Sequence, residues 1–191
     1  MVEQLPDPEV WVDRYGDYLY RYALHRVRDP ALAEELVQDT FLAALDSRVS
    51  FAGRSSPESW LVGILKHKVI DHIRKKSREE TVEHIEETFA ATEKSFDENG
   101  RWKRGPAEWN INPGALFEQK EFMEVLGRCV ADLPSRISDA FILREMEELG
   151  TEEICKILDV TSTNLGVMLY RARMRLRSCL ETTWFEKKDE E

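Results

Sequence analysis

The amino-acid sequence predicts an all-α fold of two small helical domains joined by a flexible acidic linker, the second domain containing a helix-turn-helix. Apolar residues recur every three or four positions over residues 10–76 and again over residues 117–180. Between these stretches the periodicity fades, and glycine, proline and acidic residues accumulate. A chain of 191 residues has room for two modest cores and is too short for a large enzyme with separate cofactor and substrate domains.

The composition is typical of a soluble globular protein with many charged helix faces, since 42% of the residues are hydrophobic and 34% are charged. No apolar stretch reaches the length of about 18 residues that a membrane-spanning helix needs. The first residues lack the basic flank and apolar run of a secretory signal. We therefore expect a cytoplasmic protein with no membrane segment of its own.

The first domain, residues 1–78, is predicted to contain three helices. Residues 10–27 form the first, and Asp29 followed by Pro30 supplies an N-cap and a proline at the first position of the second, which runs to Leu45. Residues 46–57 have the composition of a loop, and the third helix begins near Glu58 and ends near Lys76.

Residues 79–116 are predicted to be the linker, followed by a second domain at 117–182 and an acidic tail at 183–191. Trp102 and Trp109 are unusual in a free linker. They indicate either that the linker docks on another surface or that it packs back on the chain's own domains.

The second domain is predicted to have a helix to Asp132, a break at Leu133-Pro134 and a helix from Ser135 to Glu148. The next thirty residues divide into a short helix capped by Thr151, a turn at residues 159–161 and a longer helix capped by Thr161 or Ser162. This layout is typical of a helix-turn-helix. At 100° per residue, the longer helix has a packed stripe that begins at Leu165 and contains Met168, Leu169, Ala172, Leu176, Cys179 and Leu180.

The charge is unevenly distributed along a chain whose net charge is −10. Residues 79–121 carry 11 acidic and 5 basic side chains, whereas residues 1–78 carry 12 of each. Two basic clusters lie in the near-neutral domains, the first being Lys66, Lys68, Arg74, Lys75, Lys76 and Arg78 and the second Arg171, Arg173, Arg175 and Arg177. Two such clusters favour a bipartite contact with a polyanion over solvated helix faces. We expect Arg171 and Arg175 to meet phosphate, and the other two arginines of the second cluster to pair with acidic neighbours or face solvent.

Catalytic, metal and cofactor sites are not indicated. Three cysteines at positions 129, 155 and 179 predict buried free thiols rather than a disulfide framework or zinc ligands. His67 and His72 lack the i, i+4 spacing of a helical metal pair. No nucleophile-and-base motif or phosphate-binding glycine loop is present, so we expect no enzyme, no cofactor and no metal.

Four segments together resemble the extracytoplasmic-function group of sigma-70 RNA polymerase sigma factors. They are residues 29–45 (DPALAEELVQDTFLAAL), residues 60–74 (WLVGILKHKVIDHIR), Leu133-Pro134 and Arg171-Ala172-Arg173, which occur in the order and spacing of that family. The resemblance covers both domains. It implies a two-domain initiation factor that recruits core RNA polymerase to promoters and is held inactive by an anti-sigma factor.

Carried over by position, the resemblance implies three contact surfaces. The surface that docks on the beta-prime clamp helices of core polymerase consists of Glu34, Glu35, Leu36, Gln38 and Asp39, and the resemblance also implies the beta subunit as a partner. The surface that engages and opens the minus-ten element consists of Arg48, Phe51, Arg54, Lys66, His67, Asp71, Arg74 and Lys75. The surface in the major groove of the minus-thirty-five element consists of Thr163, Asn164, Val167, Tyr170, Arg171 and Arg175.

The sequence departs from the family pattern at several of these positions. His67 stands where the family usually has asparagine, Ser138 stands where many members have arginine, and the longer helix offers few polar side chains for reading bases. No promoter sequence is therefore transferred. The net charge of −10 also predicts weak binding of free protein to DNA. The alternative is a stand-alone helix-turn-helix regulator with an N-terminal sensing or dimerising bundle, which binds a duplex operator without polymerase.

Overall fold

The computed structural model describes residues 4–79 and 120–185. All regular elements in these two ranges are helices or helical turns, which confirms the all-α class. The chain divides into two compact units, Met1–Lys76 and Ser77–Glu191. The predicted linker after Glu79 lies outside the described residues, together with its two tryptophans and the tail after Phe185. Within the described ranges no helix combines the length and the apolar character that crossing a bilayer requires.

The first unit contains α1 (Trp11–Val27), α2 (Pro30–Ser47) and α3 (Pro57–Glu79) up to Lys76, where the division between the units falls. The turn between α1 and α2 forms as the sequence predicts. Asp29 is the N-cap, and its Oδ1 accepts hydrogen bonds from the backbone N–H groups of Ala31 at 2.9 Å and Leu32 at 3.2 Å. Arg28 adopts the left-handed conformation with φ 61° and donates its N–H to the carbonyl of Leu24, which ends α1.

The core of the first unit follows the helical period. Every fourth residue of α1 is buried, and α3 repeats the same spacing, the two sets being Trp11, Tyr15, Leu19 and Ala23, and Leu61, Leu65, Val69 and Ile73. Trp60 joins the loop before α3 to this core, because its ring meets Trp11 edge-on at 6.3 Å and Phe51 at 5.2 Å. The loop therefore has a fixed base.

The second unit contains α4 (Lys120–Ala131), α5 (Ser135–Phe141), α6 (Thr151–Leu158) and α7 (Ser162–Leu180). The predicted helix over residues 135–148 is wrong in its last part, because the α-helix ends at Phe141 and a π-helical turn follows at Ile142–Met146. Glu148 then adopts φ 56°, a left-handed conformation that turns the chain towards α6. A second π-helical turn, Glu181–Phe185, follows α7 directly.

The stripe predicted along α7 is confirmed. Leu165, Met168, Leu169, Ala172, Leu176 and Leu180 are all buried, and Cys179 packs against the same core while partly buried. Trp184 is also buried, and its ring meets Phe122 of α4 edge-on at 5.4 Å. The core of the second unit thus includes a residue beyond position 182, where the sequence places the end of the domain.

Two of the three cysteines are joined, which corrects the expectation of free thiols. A disulfide connects Cys129 of α4 to Cys179 of α7, with 5.9 Å between the Cα atoms and 50 residues between the two positions. Cys155 is free and partly buried. Sequence spacing could not reveal the pair, because α4 and α7 are brought together only by tertiary packing of the core.

Candidate polymerase and nucleic-acid interfaces

The outer face of α2 carries most of the residues predicted to bind polymerase. Glu34, Glu35, Gln38 and Asp39 are exposed, and we call these four residues the α2 acidic face. Leu36 is only 7% exposed and lies in the core. It is therefore corrected from a contact residue to a packing residue, because residue 36 falls on the buried side of α2 with Ala33 and Val37.

Two apolar residues extend this face and were missed by the sequence analysis. Leu42 is 61% exposed and Leu45 is 38% exposed. At 100° per residue, Leu42 lies about 20° from Glu35 around the helix axis, and Leu45 lies about 20° from Glu34. The signal was present in the sequence, because both leucines fall off the stripe that buries Val37, Thr40 and Ala44.

The loop before α3 presents its tip to solvent while its ends are held. Phe51 packs on Trp60 at one end, and at the other the Ser56 hydroxyl oxygen accepts the backbone N–H of Ser59 at 3.1 Å. Between them Gly53 has φ 64°, a conformation that favours glycine, and Arg54 is exposed. Arg48 is exposed just before the loop. Of the predicted minus-ten residues here, Phe51 is partly buried and the two arginines are accessible.

The exposed side of α3 carries a mixed row rather than a purely basic one. His67, Asp71 and Lys75 are exposed at intervals of four residues, so they lie along one side of the helix. Arg74 is partly buried, and its Nη1 lies 2.7 Å from Asp71 Oδ1. Lys66 is partly buried next to His67. Asp71 thus orients one of the predicted cations while lowering the local positive charge.

An ion pair links α3 to the α2 acidic face. Lys68 Nζ lies 3.7 Å from Asp39 Oδ2. Because both side chains are partly exposed, the pair contributes little to stability. Its consequence is positional, because it places the α2 acidic face next to α3 within one unit.

Residues predicted for the minus-thirty-five surface divide into accessible and buried groups. Thr163 is exposed and Tyr170 is 41% exposed, while Asn164, Val167 and Arg175 are partly buried. Thr161 is the N-cap of α7, since its hydroxyl oxygen accepts the backbone N–H of Asn164 at 3.2 Å. The first turn of α7 is therefore fixed close to the side chains proposed to read bases.

Arg171 does not fit its predicted role as a phosphate contact. Its side chain is 3% exposed. The reason is that α4, α5 and α6 all pack on α7, so the buried sector is wider than the apolar stripe alone and includes residue 171 beside it. Arg171 is thus corrected from a surface contact to an interior residue of the second unit.

Arg173 and Arg177 pair with acidic neighbours, as the sequence predicts for these two residues. Arg173 Nη2 lies 2.7 Å from Glu145 Oε1, and Arg177 Nε lies 2.9 Å from Glu181 Oε1. Arg175 makes no ion pair within the part of the chain that the structure describes. Among the residues that the structure describes, Arg175 is therefore partly exposed and lacks an acidic partner.

The short helix α6 is held at both ends by arginines. Arg144 donates from Nη1 to the carbonyl of Leu149 at 3.0 Å and from Nη2 to the hydroxyl of Thr151 at 2.8 Å. Arg136 Nη2 donates to the carbonyl of Leu158, the last residue of α6, at 2.6 Å. These bonds satisfy backbone carbonyls near the two ends of α6.

The predicted cap of α6 is displaced by one residue. Gly150 is the N-cap, and its backbone N–H donates to Glu153 Oε2 at 3.1 Å. Thr151 is instead the first helical residue and accepts the bond from Arg144. After α5, helices α6 and α7 and the turn between them form a helix-turn-helix. Its first helix, α6, is fixed at both ends.

Comparison with known proteins agrees with this geometry. Residues 11–79 match the family model for Sigma-70 region 2, and residues 123–176 match that for Sigma-70 region 4. A probable RNA polymerase sigma factor of Haemophilus influenzae is 36% identical over 161 residues, which are 83% of this chain and 82% of that protein. The ECF RNA polymerase sigma factor SigM of Bacillus subtilis is 29% identical over 86% of this chain and 89% of its own.

The chain belongs to the extracytoplasmic-function group of sigma-70 RNA polymerase sigma factors. Sigma factors are transcription initiation factors. In this sigma factor, region 2 comprises α1 to α3, and region 4 comprises most of α4 to α7. A solved structure of the sigma factor RpoE in complex with the anti-sigma factor NepR from Bartonella quintana aligns with 92% of this chain and 97% of its own, with a TM-score of 0.42 and 20% identity.

The two hydrogen bonds from Arg144 to the start of α6 lead to a prediction about the stability of this helix. Arg144→Ala removes two hydrogen bonds from a charged donor and should cost about 1–3 kcal/mol in the local opening of α6. Amide hydrogen exchange of residues 149–155, followed by mass spectrometry on the full chain, should accelerate accordingly.

Arg173→Ala is the matched control, because it removes an arginine whose ion pair with Glu145 is exposed and contributes at most about 1 kcal/mol. Equal exchange rates in the two variants would show that Arg144 does not hold α6.

Proposed function

We propose that this sigma factor brings core RNA polymerase to a defined set of promoters in the cytoplasm. Region 2, residues 1–78, docks on polymerase and opens the minus-ten element. Region 4, residues 117–182, reads the minus-thirty-five element, and residues 79–116 link the two. The observation that supports this most strongly is the division of accessible cations between two separate units of an otherwise acidic chain.

Energetics favour an initiation factor that depends on a larger partner. Separating base pairs forfeits stacking of about 1.4 kcal/mol per step, whereas one extruded base that stacks well on an aromatic ring recovers about 1–3 kcal/mol. A chain of net charge −10 is also repelled by DNA. Polymerase must therefore supply the remaining binding energy. The chain itself has no proposed catalytic residue, cofactor or metal, because the polymerase carries out RNA synthesis.

Transcription in vitro tests this function. Purified core polymerase supplemented with the full chain should start RNA at defined promoters, which can be found by sequencing the transcripts that appear when the chain is overproduced. A gel-shift assay with the chain alone, at ordinary ionic strength, should show weak binding to the same DNA. Tight binding to duplex DNA without polymerase, together with no promoter-dependent start, would instead identify a stand-alone helix-turn-helix regulator.

The α2 acidic face is the proposed docking surface for the beta-prime clamp helices, and other parts of the chain contact the beta subunit. Four polar residues, two of them glutamates, offer a basic partner complementary charge, which chiefly sets specificity and association rate. Leu42 lies among them and is exposed. An apolar side chain surrounded by charge is the arrangement of an interface core with a polar rim. We therefore add Leu42 to the proposed contact residues.

Leu42→Ala should weaken the affinity for core polymerase by roughly tenfold, because truncating an apolar residue at the centre of an interface costs more than about 1 kcal/mol. Val12→Ala is the matched control, since Val12 on α1 is 62% exposed and Leu42 is 61% exposed. Binding is measured by fluorescence anisotropy with labelled full-length chain. The docking surface would be misplaced if Val12→Ala weakened binding as much as Leu42→Ala.

An anti-sigma factor is the proposed regulator, as expected for the extracytoplasmic-function group. The accessible α2 acidic face gives such an inhibitor a surface that it could cover in competition with polymerase. An inhibitor of this kind should therefore lose affinity in the Leu42→Ala variant together with core polymerase.

Arg175 is the proposed phosphate contact of region 4, now that Arg171 lies in the interior. Arg175→Gln should weaken promoter binding by the reconstituted holoenzyme and reduce the slope of log affinity against log salt by about one. Arg173→Gln removes the same unit of charge, but its guanidinium already pairs with Glu145, so the slope should change less. Fluorescence titrations at four salt concentrations measure the slopes; identical slopes for the two variants would exclude a specific contact at Arg175.

A further inference from the structure

We propose that Cys129 and Cys179 form a reversible dithiol–disulfide site that sets the stability of the DNA-reading unit. Cys129 lies near the end of α4 and Cys179 in the last turn of α7, and 50 residues separate them. The loop they close contains α5, α6 and nearly all of α7. Cys179 lies beyond residue 176, where the match to the region 4 family model ends. The pair therefore joins a residue inside the matched segment, Cys129, to one beyond its end.

The two cysteine residues differ in exposure to solvent. Cys129 is 2% exposed, whereas Cys179 is partly buried. A thiol reagent of small size therefore reaches Cys179 first, and the Cys129 sulfur is already placed to resolve the product. The 5.9 Å between the Cα atoms lies within the range in which two cysteines can be joined without backbone movement.

Thr183 makes this site suitable for the reduced state as well. Its hydroxyl donates to the carbonyl of Cys179 at 2.6 Å, and its oxygen lies 3.8 Å from Cys129 Sγ. Because the hydroxyl proton is already used, the oxygen can accept a weak hydrogen bond from the Cys129 thiol when the disulfide is open. Burying the thiol that reduction creates therefore costs less free energy beside a polar acceptor than it would in a site enclosed only by hydrocarbon.

The crosslink joins elements whose packing closes the end of the unit. Cys129 belongs to the same core as Phe122 and Trp184, and Cys179 packs against that core from α7. The turn Glu181–Phe185, which carries Trp184, begins two residues after Cys179. Reduction therefore removes the crosslink between α4 and the end of α7, while the apolar core still holds the fold.

The redox step exchanges one disulfide for another. With a low-molecular-weight disulfide as oxidant, the Cys179 thiolate attacks one of its sulfurs, which forms a mixed disulfide and releases one thiolate. The Cys129 thiolate then attacks the Cys179 sulfur, forms the protein disulfide and releases the second thiolate. The two protein thiols lose two protons and two electrons, and the small disulfide becomes two thiols. A dithiol or excess monothiol reverses both steps.

The physiological direction rests on the proposed function in the cytoplasm, where glutathione and thioredoxin keep most thiols reduced. The crosslink would then form under oxidising stress. In the loop-closure description, closing 50 residues changes the unfolding equilibrium constant of the unit roughly a thousandfold in favour of the folded state. Oxidation thus stabilises the folded state of the DNA-reading unit under conditions that damage other thiol proteins.

Redox titration of the full chain tests the site. The chain is equilibrated in mixtures of reduced and oxidised glutathione, free thiols are trapped with an alkylating reagent, and the modified cysteines are located by mass spectrometry. We expect Cys129 and Cys179 to lose reactivity together over a defined range of ratios, while Cys155 stays alkylatable. Cys155→Ser should leave this titration unchanged. Two thiols that remain free even in oxidised glutathione alone would overturn the proposal.

Hydrogen exchange of the same samples tests the effect on stability. Amides of α4 and of the end of α7 should exchange at least tenfold more slowly in the oxidised chain, because the crosslink opposes local opening of these helices. Cys179→Ser and Cys129→Ala should each abolish the difference between the two redox states; the wild-type comparison needs neither variant to fold well. A disulfide that forms without slowing exchange would overturn the switch. These readouts involve no polymerase, so a failure of promoter-dependent transcription would leave them unaffected.

Discussion

The interior packing of α7 determines what region 4 can offer to DNA. Three helices cover its apolar side, and a helix has only one rotation about its axis that buries such a stripe. That rotation turns Thr163 and Tyr170 outwards and draws Arg171 inwards. Hydrogen bonds from Arg136 and Arg144 hold the two ends of α6, the first helix of the helix-turn-helix. The face of α7 that we propose to read bases is therefore set by core packing and not by the polar residues on it.

Helical periodicity was sufficient to predict the approximate positions of most helices and the buried stripe of α7, because a spacing of three or four residues depends only on local geometry. The width of the buried sector depends on which helices pack alongside, and this is why Arg171 and Leu36 were misassigned to surfaces. The π-helical turn after Phe141 and the pairing of Cys129 with Cys179 likewise depend on tertiary contacts. The exposed leucines of α2 were predictable from the helix period once the buried stripe was drawn.

Ion pairs reduce the basic character that the sequence suggests. Asp71 holds Arg74, Asp39 holds Lys68, and Glu145 and Glu181 hold two arginines of α7. Each of these pairs is partly exposed and adds little to stability, so its main effect is to orient a cation and to lower the local potential. A sequence count of basic residues therefore overstates the number available to phosphate, although it places the clusters on the correct helices.

The same compensation bears on how promoter selectivity arises. A surface with few uncompensated cations gains little from non-specific attraction to phosphate, so its preference for one DNA sequence is not masked by strong binding everywhere. Such a surface becomes useful only when a partner raises its concentration near DNA, as tethering does for any weak module. Polymerase docked on α2 would hold α3 and its adjoining loop, which are in the same unit, at the site of melting. The weak intrinsic binding and the dependence on polymerase that we propose would thus both follow from one charge distribution.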